Sequence, residues 1–184
     1  TSLFYIKDFS NIQILGQTRD DACGEAFDKV AKIMGMGYPG GPLIEKIAKD
    51  GNKHKVKFAC CGTDNELDFS FSGIKTAVLY LARDKELTLD YKKDIASSFQ
   101  ETVIDTLIKK SLLACKMKKV NRLVSGGGVV ANNRLREKLS QASSDEGIAC
   151  YFPPKDLCMD NAAMVAGLGY RLFKQGVISD LGLT

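Results

Sequence analysis

Four segments carry residues whose types and spacing suit chemistry. The first is Leu123-Val124-Ser125-Gly126-Gly127-Gly128-Val129-Val130-Ala131-Asn132-Asn133-Arg134-Leu135-Arg136, a strand that runs into glycines and then a helix. Glycines let backbone approach a ligand closely, and a helix N-terminus offers free N–H groups to an anion. The run is neither GxGxxG nor a Walker A loop, because no GK[ST] follows; a tight strand-to-helix turn explains it equally well. The second is Asp20-Asp21-Ala22-Cys23-Gly24-Glu25-Ala26-Phe27-Asp28-Lys29. Asp21, Glu25 and Asp28 stand four and three apart, on one helical face, where carboxylates could hold ribose hydroxyls, a metal or a base, or simply form a solvated face at a helix start. The third, Asp160-Asn161-Ala162-Ala163-Met164, puts an Asp at a helix head, either as an N-cap or as a hard oxygen ligand. The fourth, Phe69-Ser70-Phe71-Ser72-Gly73-Ile74-Lys75-Thr76, places Ser and Gly at a strand-to-helix junction that suits a bound anion or a plain cap.

The elements that must position these residues follow from periodicity. Leu3–Phe9 and Ile12–Leu15 read as strands around a Ser10-Asn11 turn. Asp20–Met34 repeats apolar residues at helical spacing and ends at Gly35 and Gly37. Tyr38-Pro39-Gly40-Gly41-Pro42 is a rigid loop, with Pro42 opening a helix over Leu43–Ala48. Val56–Cys61 and the alternating Leu67–Phe71 read as strands, and Ser72 as the N-cap of a helix over Gly73–Arg83. Asp90–Cys115 is the longest helical stretch. Then come a strand at Arg122–Val124, a turn at Ser125–Gly128, a helix at Asn132–Ser140, a strand at Ala149–Phe152 broken by Pro153-Pro154, and a helix over Asp160–Lys174 ended by Gly176. Strand, glycine turn, helix, strand and helix make an α/β pattern.

Composition sets the limits. The 184 residues are 45% hydrophobic and 26% charged, those of an ordinary globular protein with a sizeable core. A net charge of +4 permits RNA contact without demanding it. Lys53-His54-Lys55-Val56-Lys57 and Lys116-Met117-Lys118-Lys119 could meet phosphates, or be a solvated loop and a helix end. Six cysteines without a CxxC pair point to reduced, buried thiols. No apolar run is long enough to span a membrane. The one histidine, His54, excludes a self-contained HExxH protease or Ser–His–Asp hydrolase and reads as a surface residue.

Taken in order, Asp20–Lys29, Tyr38–Pro42, Asp68–Thr76, Ser125–Asn132 and Asp160–Met164 resemble the TsaD/Kae/Qri family (also Gcp, YgjD), the tRNA N6-adenosine threonylcarbamoyltransferases. The resemblance spans most of the chain. It implies an ASKHA (actin/hexokinase-like) fold with a nucleotide between two α/β lobes. Residues 1–184 would be the second lobe, with a mostly helical insertion over 43–120. It implies transfer of the threonylcarbamoyl group from threonylcarbamoyl-AMP to N6 of the adenosine beside the anticodon of tRNAs reading codons that begin with A. Contacts to the nucleotide would fall on Asp28, Gly41, Gly126, Gly127, Gly128 and Asn132, and a divalent metal, Fe2+, one per subunit, on Asp160. The expected partners are an adenine nucleotide, tRNA, and TsaB-like and TsaE-like proteins or KEOPS subunits, with no membrane; the expected location is the cytoplasm or an organelle. The family's histidine pair and Ser-Gly-Gly-His phosphate loop precede the stretch matching Thr1. The expectation is therefore a piece of a longer protein, inactive by itself. The rival readings are an ASKHA-type ATPase or kinase and a scaffold paralogue; the older O-sialoglycoprotein endopeptidase label lacks its zinc motif.

Overall fold

A computed structural model describes residues 1–84, 86–180 and 182. The chain opens as an antiparallel hairpin of β1 (Ser2–Asp8) and β2 (Asn11–Gln17), with Phe4 opposite Ile14 and Ile6 opposite Ile12. Asp8 closes the turn by accepting from the Ser10 amide and hydroxyl.

Helix α1 (Cys23–Ile33) starts three residues later than the expected Asp20. Asp20 and Asp21 lie outside it, and Glu25 accepts from the Ala22 amide at its start. Its apolar stripe of Cys23, Ala26, Phe27, Val30 and Ala31 is buried. Helix α2 (Gly40–Ala48) begins earlier than expected, after Pro39, so that Pro42 is its third residue. A proline costs nothing in a first turn, where amides have no helical acceptor. Helix α3 covers Ser72–Asp84 and α4 Leu89–Lys118, the latter 30 residues capped by the Thr88 hydroxyl. The 43–120 stretch therefore holds most of α2 and all of α3 and α4.

Two expected strands are absent among the described residues. At Leu67–Phe71, only a single parallel bridge joins Phe69 to Thr18. The Gln17 amide donates to the Asp68 carboxylate at 2.8 Å, so a side chain takes a donor that a longer ladder would need. Val56–Cys61 instead packs irregularly, with Val56, Phe58 and Cys60 against the core and the Val56 amide donating to the Ser98 hydroxyl of α4.

Strands β3 (Arg122–Val124) and β4 (Ala149–Tyr151) pair in parallel, Leu123 opposite Cys150. Parallel neighbours need a crossover. Here it consists of the glycine turn, a 3-10 turn over Gly128–Ala131, and α5 (Asn133–Asp145). Helix α4 joins two core clusters. Ile95, Phe99 and Val103 pack with α1, α2, Phe69 and Phe71. Ile104 and Ile108 pack with Val130, Leu135 and Leu139. Phe27 meets Phe99 edge-on at 5.0 Å between centroids.

Helix α6 (Ala162–Lys174) is capped by Asn161, whose Oδ1 accepts from the Met164 amide at 3.0 Å. Asp160 is therefore not its cap. Val165, Leu168 and Phe173 on it are exposed, as are Phe4, Ile6, Ile12 and Ile14 on the hairpin. All six cysteines are free thiols. Burial pushes the Cys23 thiol up to about 12. Among the described residues no helix is long and apolar enough to cross a membrane.

Candidate functional site: a glycine-lined wall

The three acids expected on one face of α1 divide their roles. Asp21 precedes the helix and takes two lysines, Lys29 at 2.7 Å and Lys75 at 2.8 Å. Burial opposes its ionisation, but those two cations hold its carboxyl below the usual range. Glu25 pairs with Lys29. Asp28 has no lysine. Its Oδ1 accepts from the Gly40 amide at 2.7 Å, and Oδ2 has no hydrogen-bond partner among the described residues. Asp28 thus fixes the start of α2 and keeps one oxygen for another donor.

Gly40 and Gly41 are neighbours with different surroundings. A Cβ on Gly40 would lie 2.6 Å from the Asp28 Cα and 2.7 Å from the Phe27 carbonyl oxygen, so this glycine lets α2 pack on α1. A Cβ on Gly41 would meet nothing within 4 Å. The Gly41 amide, in the first turn of α2, has no acceptor among the described residues.

The glycine turn adjoins the same helix. A Cβ on Gly24 would stand 3.5 Å from Val129 Cγ2, and Gly24 is one turn before Asp28. Gly126, Gly127 and Gly128 are exposed, and a Cβ on any of them would meet no atom within 4 Å. Gly127 has φ +95°, which L side chains rarely adopt. The amides of Gly126 and Gly127 have no protein acceptor among the described residues.

The start of α5 is less open than the sequence suggests. Asn132 is buried, and its Oδ1 accepts from the Leu135 amide at 2.9 Å as the N-cap. Its Nδ2 donates to Gln100 Oε1 at 2.8 Å. Glu45, one turn after Gly41, accepts from both the Asn133 amide and Asn133 Nδ2. Side chains thus already satisfy two first-turn amides of α5, and the anion-binding capacity moves back to the glycines. Glu45 and Gln100 were not legible as site residues; the one signal was that Glu45 follows Gly41 by a helical turn.

The serine-rich junction is filled. The Asp20 carboxylate accepts from the Ser70 and Ser72 hydroxyls and from the Phe71 and Ser72 amides. The anion that fits the start of α3 is the chain's own.

Glu101, next to Gln100, takes Lys138 at 2.8 Å, Lys53 at 3.0 Å and Arg134 at 3.0 Å. Its burial alone would raise its pKa; these three cations bring it down to about 2. A groove of about 340 Å³ runs beside it, lined by Glu45, Lys49, Lys53, Gln100, Asn133 and Arg134 among others, and neither Asp28 nor the glycine triplet faces it. His54 is exposed and lines a second groove along α4. Lys116 pairs with Glu146, and Lys118 donates to Gln13.

Asp160 is exposed and has no hydrogen-bond partner among the described residues. No group of three His, Cys, Asp or Glu able to hold a metal exists among those residues. Asp160 suits a hard cation as one oxygen donor, and one donor does not hold a metal.

Asp28, Gly41 and the glycine turn are therefore candidates for one wall of a site in an α/β protein, with open glycine amides and one carboxylate oxygen to offer. The family model for TsaD, the tRNA N6-adenosine threonylcarbamoyltransferases, matches residues 1–167, and the chain belongs to that family. Its sequence is 47% identical to the tRNA N6-adenosine threonylcarbamoyltransferase of Thermosipho africanus, over 98% of this chain and 55% of that protein. It is 50% identical to the protein of the same name from Thermodesulfovibrio yellowstonii, over 100% of this chain and 56% of the relative. The chain thus spans about half the length of these curated relatives. In three dimensions it is similar to full-length HypF in a phosphate- and nucleotide-bound form, with a TM-score of 0.63 at 18% identity, covering 86% of this chain and 21% of the other. HypF of T. kodakarensis gives 0.63 at 15% identity, over 92% and 21%. These two likenesses concern the fold alone.

Proposed function

We propose that this chain is the second lobe of an ASKHA-fold tRNA N6-adenosine threonylcarbamoyltransferase, with 43–120 as its helical insertion. Its glycine wall would hold the AMP portion of threonylcarbamoyl-AMP. The observation that carries the reading is the wall itself: unobstructed glycines with amides at Gly41, Gly126 and Gly127, and an Asp28 oxygen, that have no partner among the described residues. A carboxylate oxygen suits a ribose hydroxyl donor. Backbone amides suit phosphate oxygens without steric cost.

The transfer is an acyl substitution. The adenosine N6 attacks the carbamoyl carbon, a C–N bond forms, the mixed-anhydride C–O bond breaks, AMP leaves as the phosphate anion and the amine proton goes to solvent. The glycine amides would stabilise the charge that grows on the leaving phosphate. Asn132, already an N-cap and a partner of Gln100, retains one lone pair and one N–H for the base. Asp160 would give one oxygen to Fe2+, which would supply Lewis-acid chemistry when bound, and no further group of His, Cys, Asp or Glu among the described residues completes that site. With TsaB-like and TsaE-like or KEOPS proteins as partners, the reaction would take place on tRNA in the cytoplasm or an organelle.

The test is transfer of labelled threonylcarbamoyl from its adenylate to tRNA by the native protein with all flanking sequence. Asp28→Ala is expected to lower AMP affinity about tenfold, the loss of a hydrogen bond to a charged group. Unchanged AMP binding in that variant would remove Asp28 from the site, and nucleotide hydrolysis without tRNA would favour an ATPase.

A further inference from the structure

Beyond the wall itself lies the question of what holds it in shape. Two consecutive residues of α4 reach α5. Gln100 takes the N-cap side chain, through Asn132 Nδ2 at 2.8 Å, while Glu101 takes the helix body, through Arg134 and Lys138. Gln100 is buried, 7% exposed, and Asn132 8%. An asparagine amide has two near-isosteric ends, one accepting and one donating. Only one orientation caps a helix, because the Leu135 amide needs an acceptor. A flipped Asn132 would set an NH2 group against that amide. The Leu135 amide selects the capping orientation, and Gln100 Oε1 accepts from the Nδ2 end which that orientation leaves over, tying the capping side chain to α4.

We infer that Gln100 is a positioning residue: by accepting from Nδ2 of the capping Asn132 it anchors that side chain to α4, and so sets the end of the glycine turn and the place of the single donor and single acceptor that Asn132 has left for a ligand. This rests on the proposed nucleotide reading for its functional consequence, but not for its structural one. The 3-10 turn between the glycines and Asn132 is short, with the Val130 amide on the Gly127 carbonyl and the Asn132 amide on that of Val129. A displaced Asn132 therefore moves Gly127 and Gly128 with it. The donor that Gln100 accepts from is what matters, not its bulk. Glutamate at this position keeps the acceptor; methionine keeps the volume and lacks it.

The experiment compares Gln100→Glu and Gln100→Met in the native protein with its flanking sequence retained. AMP affinity is measured by calorimetry, and exchange of the Leu135 amide and the Asn132 side-chain shifts by NMR. The expected result is slowed exchange at Leu135 and near-native AMP affinity for Q100E. For Q100M the expectation is lost protection at Leu135, averaged Asn132 amide shifts and about tenfold weaker AMP binding. A merely packing role would leave the two variants alike; equal behaviour in both readouts, or native exchange at Leu135 in Q100M, overturns the proposal. If the unmutated protein binds no AMP, the nucleotide reading fails, and the Leu135 exchange pattern alone decides the role of Gln100. Should Q100M not fold, Asn132→Asp replaces it. Aspartate still caps but cannot donate, so the Gln100 amide must invert, and an unchanged Gln100 Nε2 shift in that variant overturns the proposal.

Discussion

The chain passes from a Ser- or Gly-containing segment into a helix at two places, before α3 and before α5, and what faces them differs. Before α3, the Asp20 carboxylate collects four donors, and a Cβ on Gly73 would lie 2.5 Å from the Cys61 sulfur. That junction is closed and packed. Before α5, three successive glycines face open space, and the free amides stop where Glu45 and Asn132 take over the first turn. Local sequence made both look like anion sites. What separates them is whether the protein supplies its own anion. The same contrast is repeated within one dipeptide, where Gly40 serves packing and Gly41 faces outward.

The largest effect expected from breaking this contrast is at Gly40. Its Cβ would strike two backbone atoms of α1, the Asp28 Cα and the Phe27 carbonyl oxygen, and the Ala31 Cβ at 2.8 Å, none of which can move aside as the end of a long side chain can. Gly40→Ala is expected to cost about 2–3 kcal/mol, the cost of overpacking a close helix contact. Denaturant melts check this; a loss below about 0.5 kcal/mol would mean that α1 and α2 can separate without penalty.

Asp20 comes next. Asp20→Ala leaves four donors without their acceptor, and is expected to cost about 1–3 kcal/mol. Burial raises the Asp20 pKa, but the bonds from Ser70, Phe71 and Ser72 outweigh it and the net shift is downward from 3.8. A carboxyl with a depressed folded pKa contributes stability above its unfolded value, lost as the pH falls through the folded one. The wild type should therefore lose stability in acid that the variant has already lost, so the two melting curves converge below about pH 4. Parallel curves would show that the Asp20 bonds do not depend on its charge.

Glu101 gives the same sign over a wider window. It stands at about 2, against 4.5 unperturbed, so its three cations stabilise the fold above pH 4.5 and the effect fades as the pH approaches 2. Glu101→Gln is expected to flatten the fall of melting temperature across that window and to loosen α5 from α4. An unaltered acid limb in E101Q would assign that stability to other carboxylates.

Much of this was legible in the residues. The hairpin, the βαβ crossover and the amphipathic helices follow from periodicity, since a stripe such as Ala26, Phe27 and Val30 has only one way to be buried. The errors fall where side chains displace backbone partners. Leu67–Phe71 alternates like a strand, yet Asp68 and Ser70 are buried as well, each held by polar partners from distant segments. Asp160 has the type of an N-cap, but Asn161 takes the position. Among the candidate site residues, the glycine turn and Asp28 stood out from local chemistry, whereas Gly41 entered only through the family resemblance. Glu45 and Gln100 did not stand out, because their partners are 88 and 32 residues away in sequence. Nothing in their surroundings in the chain marks them.

Smaller effects separate shape from ligand contact at the open junction. Gly127 holds φ +95° in open space, so Gly127→Ala meets no clash and suffers only backbone strain. The expected cost is about 1 kcal/mol, with AMP affinity falling as the turn shifts. Retained affinity with lowered stability would show that the turn adapts to its ligand.

Gly41→Ala is the finest of these tests, because stability and binding should move in opposite directions. Its added methyl meets nothing within 4 Å, and the residue lies in the first turn of α2. Alanine loses less conformational entropy there than glycine, so the melt should stay level or rise by about 0.5 kcal/mol. The methyl would nonetheless occupy the space in which a ribose or phosphate must lie to reach the Gly41 amide and the free Asp28 oxygen. AMP binding should therefore weaken while the fold does not. If both stay constant, the outward face of α2 is ordinary surface and the site retreats to the glycine triplet. If both fall, Gly41 is a packing glycine like Gly40, and the contrast between the two neighbours disappears.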